Sequence, residues 1–364
     1  MEVSALISTL GLTGSRIRLA LVVISVILTT AACGSGVVQL LPMAPPSPPP
    51  STATAPDVPL VRELAGNVSD ARAMKHLQAL QKIADEHGGN RASGTRGYDA
   101  SVEYVVGVLR EAGFKASTPT YDSSGGNGEG SSRPQRNVIA QTRTGDPDRV
   151  VMIGAHLDSV EDGPGIVDNG SGVATLLEIA TQLGADPSVQ NTVRLAFFGD
   201  EENGAEGSSA YVEGLSAADR KKIKLYLNVD MVASPNGGYF VQGGKGRDRE
   251  AAGPAGSATI GRVLADQLAK TGVANPEIIE FVGDDESAFI QEGIPVGGAE
   301  NGDAEDKTTR QAKAWGGKAR QPYDRCYHEA CDTIDNVNRD VLNHYMRAIA
   351  GTLAHFATST DKLR

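Results

Sequence analysis

Three short apolar runs in this chain each end on residues that can hold a metal, and that pattern constrains the fold more than any other feature. A continuously apolar stretch near residues 149–155 delivers His156. Residues 192–198 deliver Asp200-Glu201-Glu202, and residues 225–228 deliver Asp230 two positions further on. An apolar run without alternation is the mark of a strand covered on both faces. Between these runs lie segments of helical spacing: 170–183, 205–214, 257–270, a short one at 285–291, and a terminal one over about 340–357. Upstream, Met74, Leu77, Leu80 and Ile83 predict a helix from about Ser69 to Gly88-Gly89, and Val102, Val105 and Leu109 predict a second from about Tyr98 to Ala112. Further strands are expected near 136–142 and 294–297. Residues 121–134 are rich in Gly and Ser without periodicity and read as a loop. Strands alternating with helices predict an α/β fold: one domain, a mostly parallel mixed sheet, helices on both faces. Sites in such sheets form beyond the carboxyl ends of the strands, where His156, Glu201, Glu202 and Asp230 fall.

The chain has 364 residues, enough for one large α/β domain plus tails, and it shows no internal repeat. Its net charge of −11 leaves no basic stripe to neutralise phosphates, which argues against nucleic acid as a partner.

The first 33 residues read as an address. Arg16 and Arg18 precede an apolar run over 19–28, and small residues lead to Cys33. The run is short for a membrane-spanning helix, which needs about 20 residues. The sequence before Cys33 resembles a bacterial lipobox, although Thr30 stands where Leu is usual. Cleavage there and lipidation of Cys33 would anchor an exported protein to the outer face of a membrane; an ordinary secretory signal is the alternative. Residues 34–56 are rich in Pro, Ser and Ala and form a stiff tether, leaving 57–364 as the folded domain.

Of the three cysteines, Cys326 and Cys331 are spaced for a short-loop disulfide, which suits an oxidising compartment.

Five residues can ligate metal: His156, Asp168, Glu202, Asp230 and His328. Two imidazoles and three carboxylates suffice for two zinc ions if one carboxylate bridges. Glu201, beside a ligand, can take a proton from metal-bound water. Asp158 can accept the second imidazole N–H of His156 and fix its tautomer. Tyr327 can donate its hydroxyl to a developing oxyanion. Each signal has a plainer reading on its own. A His at a strand end is often structural, Asp168 could simply cap the helix that follows, and three acids in a row are often a solvated turn. Asn169-Gly170-Ser171 also fits a glycosylation sequon. The remaining histidines, His76, His87, His344 and His355, read as surface or packing residues.

Taken together the motifs are specific. Gly88-Gly89-Asn90-Arg91-Ala92, Gly154-Ala155-His156-Leu157-Asp158, Asp168-Asn169-Gly170-Ser171-Gly172, Asp200-Glu201-Glu202, Asn228-Val229-Asp230-Met231, Ile294-Pro295-Val296-Gly297-Gly298 and Asp324-Arg325-Cys326-Tyr327-His328 resemble the M28-type zinc aminopeptidases. The likeness is strongest to the secreted Streptomyces branch, and it extends from about residue 55 to the C-terminus. The resemblance implies the zinc-dependent exopeptidase fold and a di-zinc site. His156 and Asp230 would hold one ion, Glu202 and His328 the other, and Asp168 would bridge. It further implies Glu201 as general base for a metal-bridging hydroxide, Tyr327 as oxyanion donor, and peptides with a free N-terminus as substrates.

The chain departs from that pattern around the substrate. Many relatives read Ser-Asp-His-x-x-Phe where this chain has Asp284-Asp285-Glu286-Ser287-Ala288-Phe289. Gly283 replaces a substrate-binding Arg, and an aromatic wall gives way near Glu300. These changes suggest that Asp284, Asp285, Glu286 and Glu300 make an acidic pocket that accepts Lys or Arg as well as apolar residues. Asp57 matches one calcium-binding position of some relatives, but Asn343 and Arg347 stand where acids are needed, so no calcium site is expected. A protease-associated insert is also missing, since only 121–134 occupies its place. Other readings of the same scaffold are a glutaminyl cyclase-like acyltransferase, a non-catalytic binding ectodomain, and a carboxypeptidase. The last would need basic residues to grip a terminal carboxylate, and only Arg325 lies near the motifs.

Overall fold

The computed structural model describes residues 59–124 and 133–360. The expected signal segment, the tether and Cys33 lie outside the described residues.

Among the described residues three helices come first: α1 (Pro59–Asn67), α2 (Asp70–Glu86) and α3 (Arg96–Glu111). Ser69 stands at the N-terminus of α2, as its sequence suggests. The helix buries Ala73, Leu77, Leu80 and Ala84, with Met74 and Ile83 half-buried beside that face. Thr95 caps α3 by accepting from the backbone N–H of Tyr98, which satisfies one of the free donors of the first turn.

The expected loop over 121–134 is partly a hairpin. β1 (Thr120–Ser123) pairs antiparallel with β2 (Arg133–Arg136). These polar strands carry no alternating pattern to read; the pairing alone makes them strands.

The rest of the chain runs β3 (Val138–Gln141), β4 (Asp146–His156), α4 (Gly170–Leu183), β5 (Asn191–Phe198), α5 (Glu206–Gly214), α6 (Ala217–Lys222) and β6 (Ile223–Val229). Then follow β7 (Phe240–Gln242), α7 (Arg249–Ala252), α8 (Ser257–Lys270), β8 (Glu277–Ile279), α9 (Glu286–Gln291), β9 (Val296–Glu300), α10 (Thr309–Trp315) and α11 (Arg339–Thr358). The helices α1, α6, α7 and α10 and the strands β7 and β8 are short elements that no periodicity marks.

Among the described residues seven strands form one sheet in the order β3-β5-β4-β6-β9-β7-β8. The central strands β5, β4, β6 and β9 are mutually parallel. The flanking pairs β3/β5 and β7/β9 are antiparallel, so the sheet is mixed but parallel where it is central. Alternate residues feed opposite faces, as the two-residue repeat of a strand requires. On one face Val151, Ile153, Ala155, Val193, Leu195, Phe197, Leu225 and Leu227 meet α2, α3, α4 and α11. On the other, Val150, Met152, Ala196, Phe198 and Tyr226 meet Phe289 and Ile290 of α9, and the ring of Tyr226 stacks on Phe289 at 4.0 Å. This double coverage explains the apolar runs without alternation. No helix among the described residues is long and apolar enough to cross a membrane.

The parallel register aligns the strand ends. His156 stands opposite Phe198, and the backbone N–H of Asp230 reaches the Ala299 carbonyl of β9 at 3.0 Å. The residues that follow these strands therefore gather at one rim.

Candidate metal centre

At that rim five side chains gather in an arc, called the ring below. Nε2 of His156 lies 3.2 Å from Oδ1 of Asp168 and 3.4 Å from Oδ1 of Asp230. Nε2 of His328 lies 3.1 Å from Oδ2 of Asp168 and 3.0 Å from Oε2 of Glu202. Asp168 thus turns one oxygen to each imidazole. Glu202 Oε1 and Asp230 Oδ1 are buried without a hydrogen-bond partner.

The donor set fits a metal. Four donors about 2.0–2.1 Å from a tetrahedral zinc stand about 3.3 Å from one another, which is the spacing of this ring. His156, Asp168 and Glu202 can each offer an atom within 4.8 Å of the others. The electrostatics agree. Burial pulls the His156 imidazole down, but Asp230, Asp158 and Asp168 outweigh it and push it well above its ordinary value. Hydrogen bonds to Asp168 and Glu202 push His328 up to about 10. Burial and the neighbouring Asp168 raise Glu202 to about 7. Burial would also raise Asp168, yet its bonds to both imidazoles hold it well below the usual carboxylate range. These oxygens demand positive charge, and a divalent cation in the gap supplies it while leaving both imidazoles neutral, as ligation requires.

Local structure aims each candidate ligand. Behind His156, Nδ1 faces the Asp158 carbonyl oxygen at 3.2 Å and the Asp158 carboxylate at 3.6 Å. The main chain of Asp158 is therefore the nearer partner, where the sequence suggested its side chain. Asn169, not Asp168, caps α4: its Oδ1 accepts from the Gly172 N–H at 2.9 Å while its Nδ2 donates to the Val229 carbonyl at 2.8 Å. That arrangement frees the Asp168 carboxylate. It also leaves Asn169 fully buried and engaged, which removes the sequon from consideration. Asp332 accepts the backbone N–H of Val167 at 2.9 Å and of Asp168 at 3.0 Å. It is a positioning residue that no sequence motif marked.

His328 sits on a loop closed by the Cys326–Cys331 disulfide, whose Cα atoms are 5.2 Å apart. Asp200, Met231 and His328 adopt φ of 56°, 43° and 58°. Non-glycine residues in this left-handed region carry conformational strain, and three of the six described ones flank or belong to the site.

A cavity of about 250 Å³ opens over the ring, lined among others by Glu201, Asp284, Glu300, Asp303 and Tyr327. While Glu202 turns to His328, the neighbouring Glu201 faces the cavity outside the ring, and burial pushes its carboxyl well above the usual range. The Tyr327 ring stacks on His328 at 3.8 Å. Of the expected pocket acids, Asp284 and Glu300 reach this cavity. Burial raises Glu300 to about 7, and Gln242 donates to it at 2.9 Å. Asp285 and Glu286 are fully buried and do not line it. Glu286 instead accepts the backbone N–H groups of Gly283 and Asp284 at 3.1 and 3.3 Å. The other histidines stand elsewhere: His76 bonds Tyr104, His87 the Ile83 carbonyl, and His344 Thr271.

Known proteins share both the sequence and the fold. The chain is 41% identical over 314 residues to leupeptin-inactivating enzyme 1 of Streptomyces exfoliatus, covering 85% of this chain and 64% of that protein. It is 44% identical over 282 residues to the probable lipoprotein aminopeptidase LpqL of Mycobacterium tuberculosis, covering 75% and 56%. The chain therefore spans less than two thirds of the length of either relative. The zinc aminopeptidase BSAP from Bacillus subtilis has the same fold, with a TM-score of 0.63 at 15% identity over 81% of this chain and 97% of its own. The sequence pattern of Peptidase family M28 matches residues 137–353, a span that includes all five ring residues and Glu201, and the chain belongs to that family.

Proposed function

We propose that the protein is a two-zinc aminopeptidase that removes the N-terminal residue from peptides. The observation that carries this reading is Asp168, which directs one oxygen toward each of two imidazoles beside an uncommitted Glu201. His156, Asp230 and Asp168 would hold one zinc ion; His328, Glu202 and Asp168 would hold the other. Bound there, the two ions supply Lewis acidity and lower the pKa of water.

The chain's own residues do the rest. Asp158 holds the His156 imidazole with Nε2 toward the ring. Glu201 takes a proton from the attacking water and returns it to the leaving amine. Its raised affinity for protons suits a group that must do both near neutral pH. Tyr327, at the cavity wall, donates its hydroxyl to the carbonyl oxygen as charge develops there. The acids around the cavity favour the positive α-amino group of a free N-terminus, which selects trimming from that end.

The expected N-terminal address belongs to this reading. Residues 1–33 would export the protein and Cys33 would carry a lipid. Residues 34–56 would tether the domain outside the membrane. The likeness to a lipoprotein aminopeptidase supports it.

The test is zinc analysis together with turnover of leucine p-nitroanilide and of free against N-acetylated peptides. Two zinc ions per chain and cleavage of free peptides alone are expected. Cleavage of blocked peptides, or cyclisation of N-terminal glutamine without peptide hydrolysis, overturns the proposal.

A further inference from the structure

Arg91 is wholly buried, yet among the described residues it has no ion pair. Its guanidinium donates to three backbone carbonyls: Nε to Pro164 at 2.9 Å, Nη2 to Gly165 at 2.6 Å, and Nη1 to Leu157. Its backbone N–H donates to Ser159 Oγ at 2.9 Å, and that hydroxyl in turn bonds the Gly163 carbonyl at 3.0 Å. These partners fall in two segments. One, 157–159, directly follows His156 and contains Asp158. The other, 163–165, leads into Asp168.

The second segment is gripped from both sides. Arg91 takes its carbonyls, while Asp332 takes the N–H groups of Val167 and Asp168 with its carboxylate and that of Ile166 with its carbonyl at 3.1 Å. Asp332 follows Cys331 of the loop that carries His328. Two buried residues of opposite charge thus tie together the three segments that bear His156, Asp168 and His328.

A buried guanidinium without a paired anion is costly unless its donors are met and its charge is wanted nearby. Burial outweighs the opposing pull of the Asp158, Asp332, Asp168 and Glu202 carboxylates and brings Arg91 down to about 10. The chain at Gly165 is shaped for this contact. Its φ is +61°, and an added Cβ would meet Arg91 Nη2 at 3.1 Å and the Asp168 carbonyl oxygen at 2.3 Å. Only the planar fork of Arg reaches carbonyls of both segments at once; the ammonium of Lys is a single point.

We infer that Arg91 is a positioning residue of the metal centre: it sets the separation of His156 from Asp168, and its charge offsets the carboxylates that crowd there. This inference rests on the reading of the ring as a zinc site.

The test uses the full chain carrying Arg91→Lys, with Asp332→Asn as a second variant. Zinc affinity is measured by chelator competition, and the fold of the zinc-free protein by circular dichroism and thermal melting. Arg91→Lys should keep the zinc-free spectrum and bind zinc about ten- to a hundredfold more weakly, the usual effect of losing support behind metal ligands. Its kcat should fall at limiting zinc and recover in excess zinc, with KM within about twofold of the parent. Parental zinc affinity in this variant overturns the inference, as does a loss of activity in the folded variant that does not respond to zinc. Should Arg91→Lys fail to fold, Asp332→Asn loosens the same segment from its other side, and parental zinc affinity there overturns the inference equally. A parent protein that binds zinc and cleaves peptides while both variants match it sinks this inference alone. A parent that binds zinc without cleaving peptides sinks the proposed activity alone.

Discussion

The carboxylate of Asp158 accepts the backbone N–H of Glu201 at 3.3 Å, while the main chain of Asp158 faces Nδ1 of His156. One fully buried residue therefore stands behind both the first imidazole and the group assigned to move protons. Asp158→Asn preserves volume but changes what the side chain offers to both neighbours. Zinc affinity should fall about 10- to 100-fold, and kcat should fall even at saturating zinc. Chelator competition and steady-state kinetics on leucine p-nitroanilide check the two effects separately.

Glu201→Gln removes the proposed proton carrier and leaves the five candidate ligands in place. Turnover should fall by about two to four orders of magnitude, the typical worth of a positioned acid–base group, with zinc content unchanged. Metal analysis of the purified variant beside its kcat is the measurement. A variant that keeps half the parental turnover would remove Glu201 from the mechanism.

Much of this architecture was legible because burial writes directly into sequence. The strands β4, β5 and β6 are covered on both faces, so they appear as apolar runs, and the residues after them fall at the carboxyl rim where sites form. What stayed hidden depends on pairing or on long-range contacts. Thr120–Ser123 and Arg133–Arg136 are strands only because they pair. Phe240–Gln242 and Glu277–Ile279 are three residues each, too short for any period to show. The role of Asp332 rests on backbone groups 164 and 165 positions away in sequence. In the acidic string 284–286, sequence shows that acids are present but not which way they turn. The first residue of α9, Glu286, turns inward to bind its own loop, and Asp284 turns to the cavity.

Asp284, Glu300 and Asp303 line the cavity beside the proposed metal ligands and lie outside that set. A substrate whose first side chain is cationic would meet opposite charge there. Lysine and arginine p-nitroanilides should be cleaved with kcat/KM within about tenfold of leucine. Glu300→Gln should lower the basic substrates more than leucine, by roughly 1–2 kcal/mol of transition-state binding for a partly desolvated charge contact. Strict preference for leucine in the parent protein refutes the acidic-pocket reading.

The pH dependence of the zinc-free protein follows from the buried acids. Burial raises Asp285, Glu286 and Glu300 to about 7 each, whereas in the unfolded chain such groups release their protons near 4. A carboxyl that binds its proton more tightly when folded adds stability that is complete below the unfolded value and is lost as pH rises through about 7. Asp168 has the opposite sign, but its contribution disappears only on acidification below its unfolded value, so it does not cancel the trend above about pH 5. The thermal midpoint of zinc-free protein should therefore fall between about pH 5 and pH 7. Zinc, which favours the ionised carboxylates around it, should flatten that slope. A zinc-free midpoint that climbs across this window contradicts the assignment.

The disulfide offers the sharpest separation of fold from site. Cys326 and Cys331 close a loop of five sequence steps, for which chain-entropy arguments give roughly 2 kcal/mol of stabilisation. The loop carries His328, whose side chain is 40% exposed while that of its partner Asp168 is 6% exposed. Of the two imidazoles it is the one water can reach, and it is held at φ 58°. Packing fixes the other imidazole, His156, at a strand end; His328 depends on its loop. Replacing both cysteines by serine should therefore cost roughly 2 kcal/mol in urea unfolding of the zinc-free protein and should also weaken zinc retention, with activity recovering as zinc is added. If stability falls by that amount while zinc affinity stays parental, the bond is a staple of the fold alone and the placement of His328 owes nothing to it.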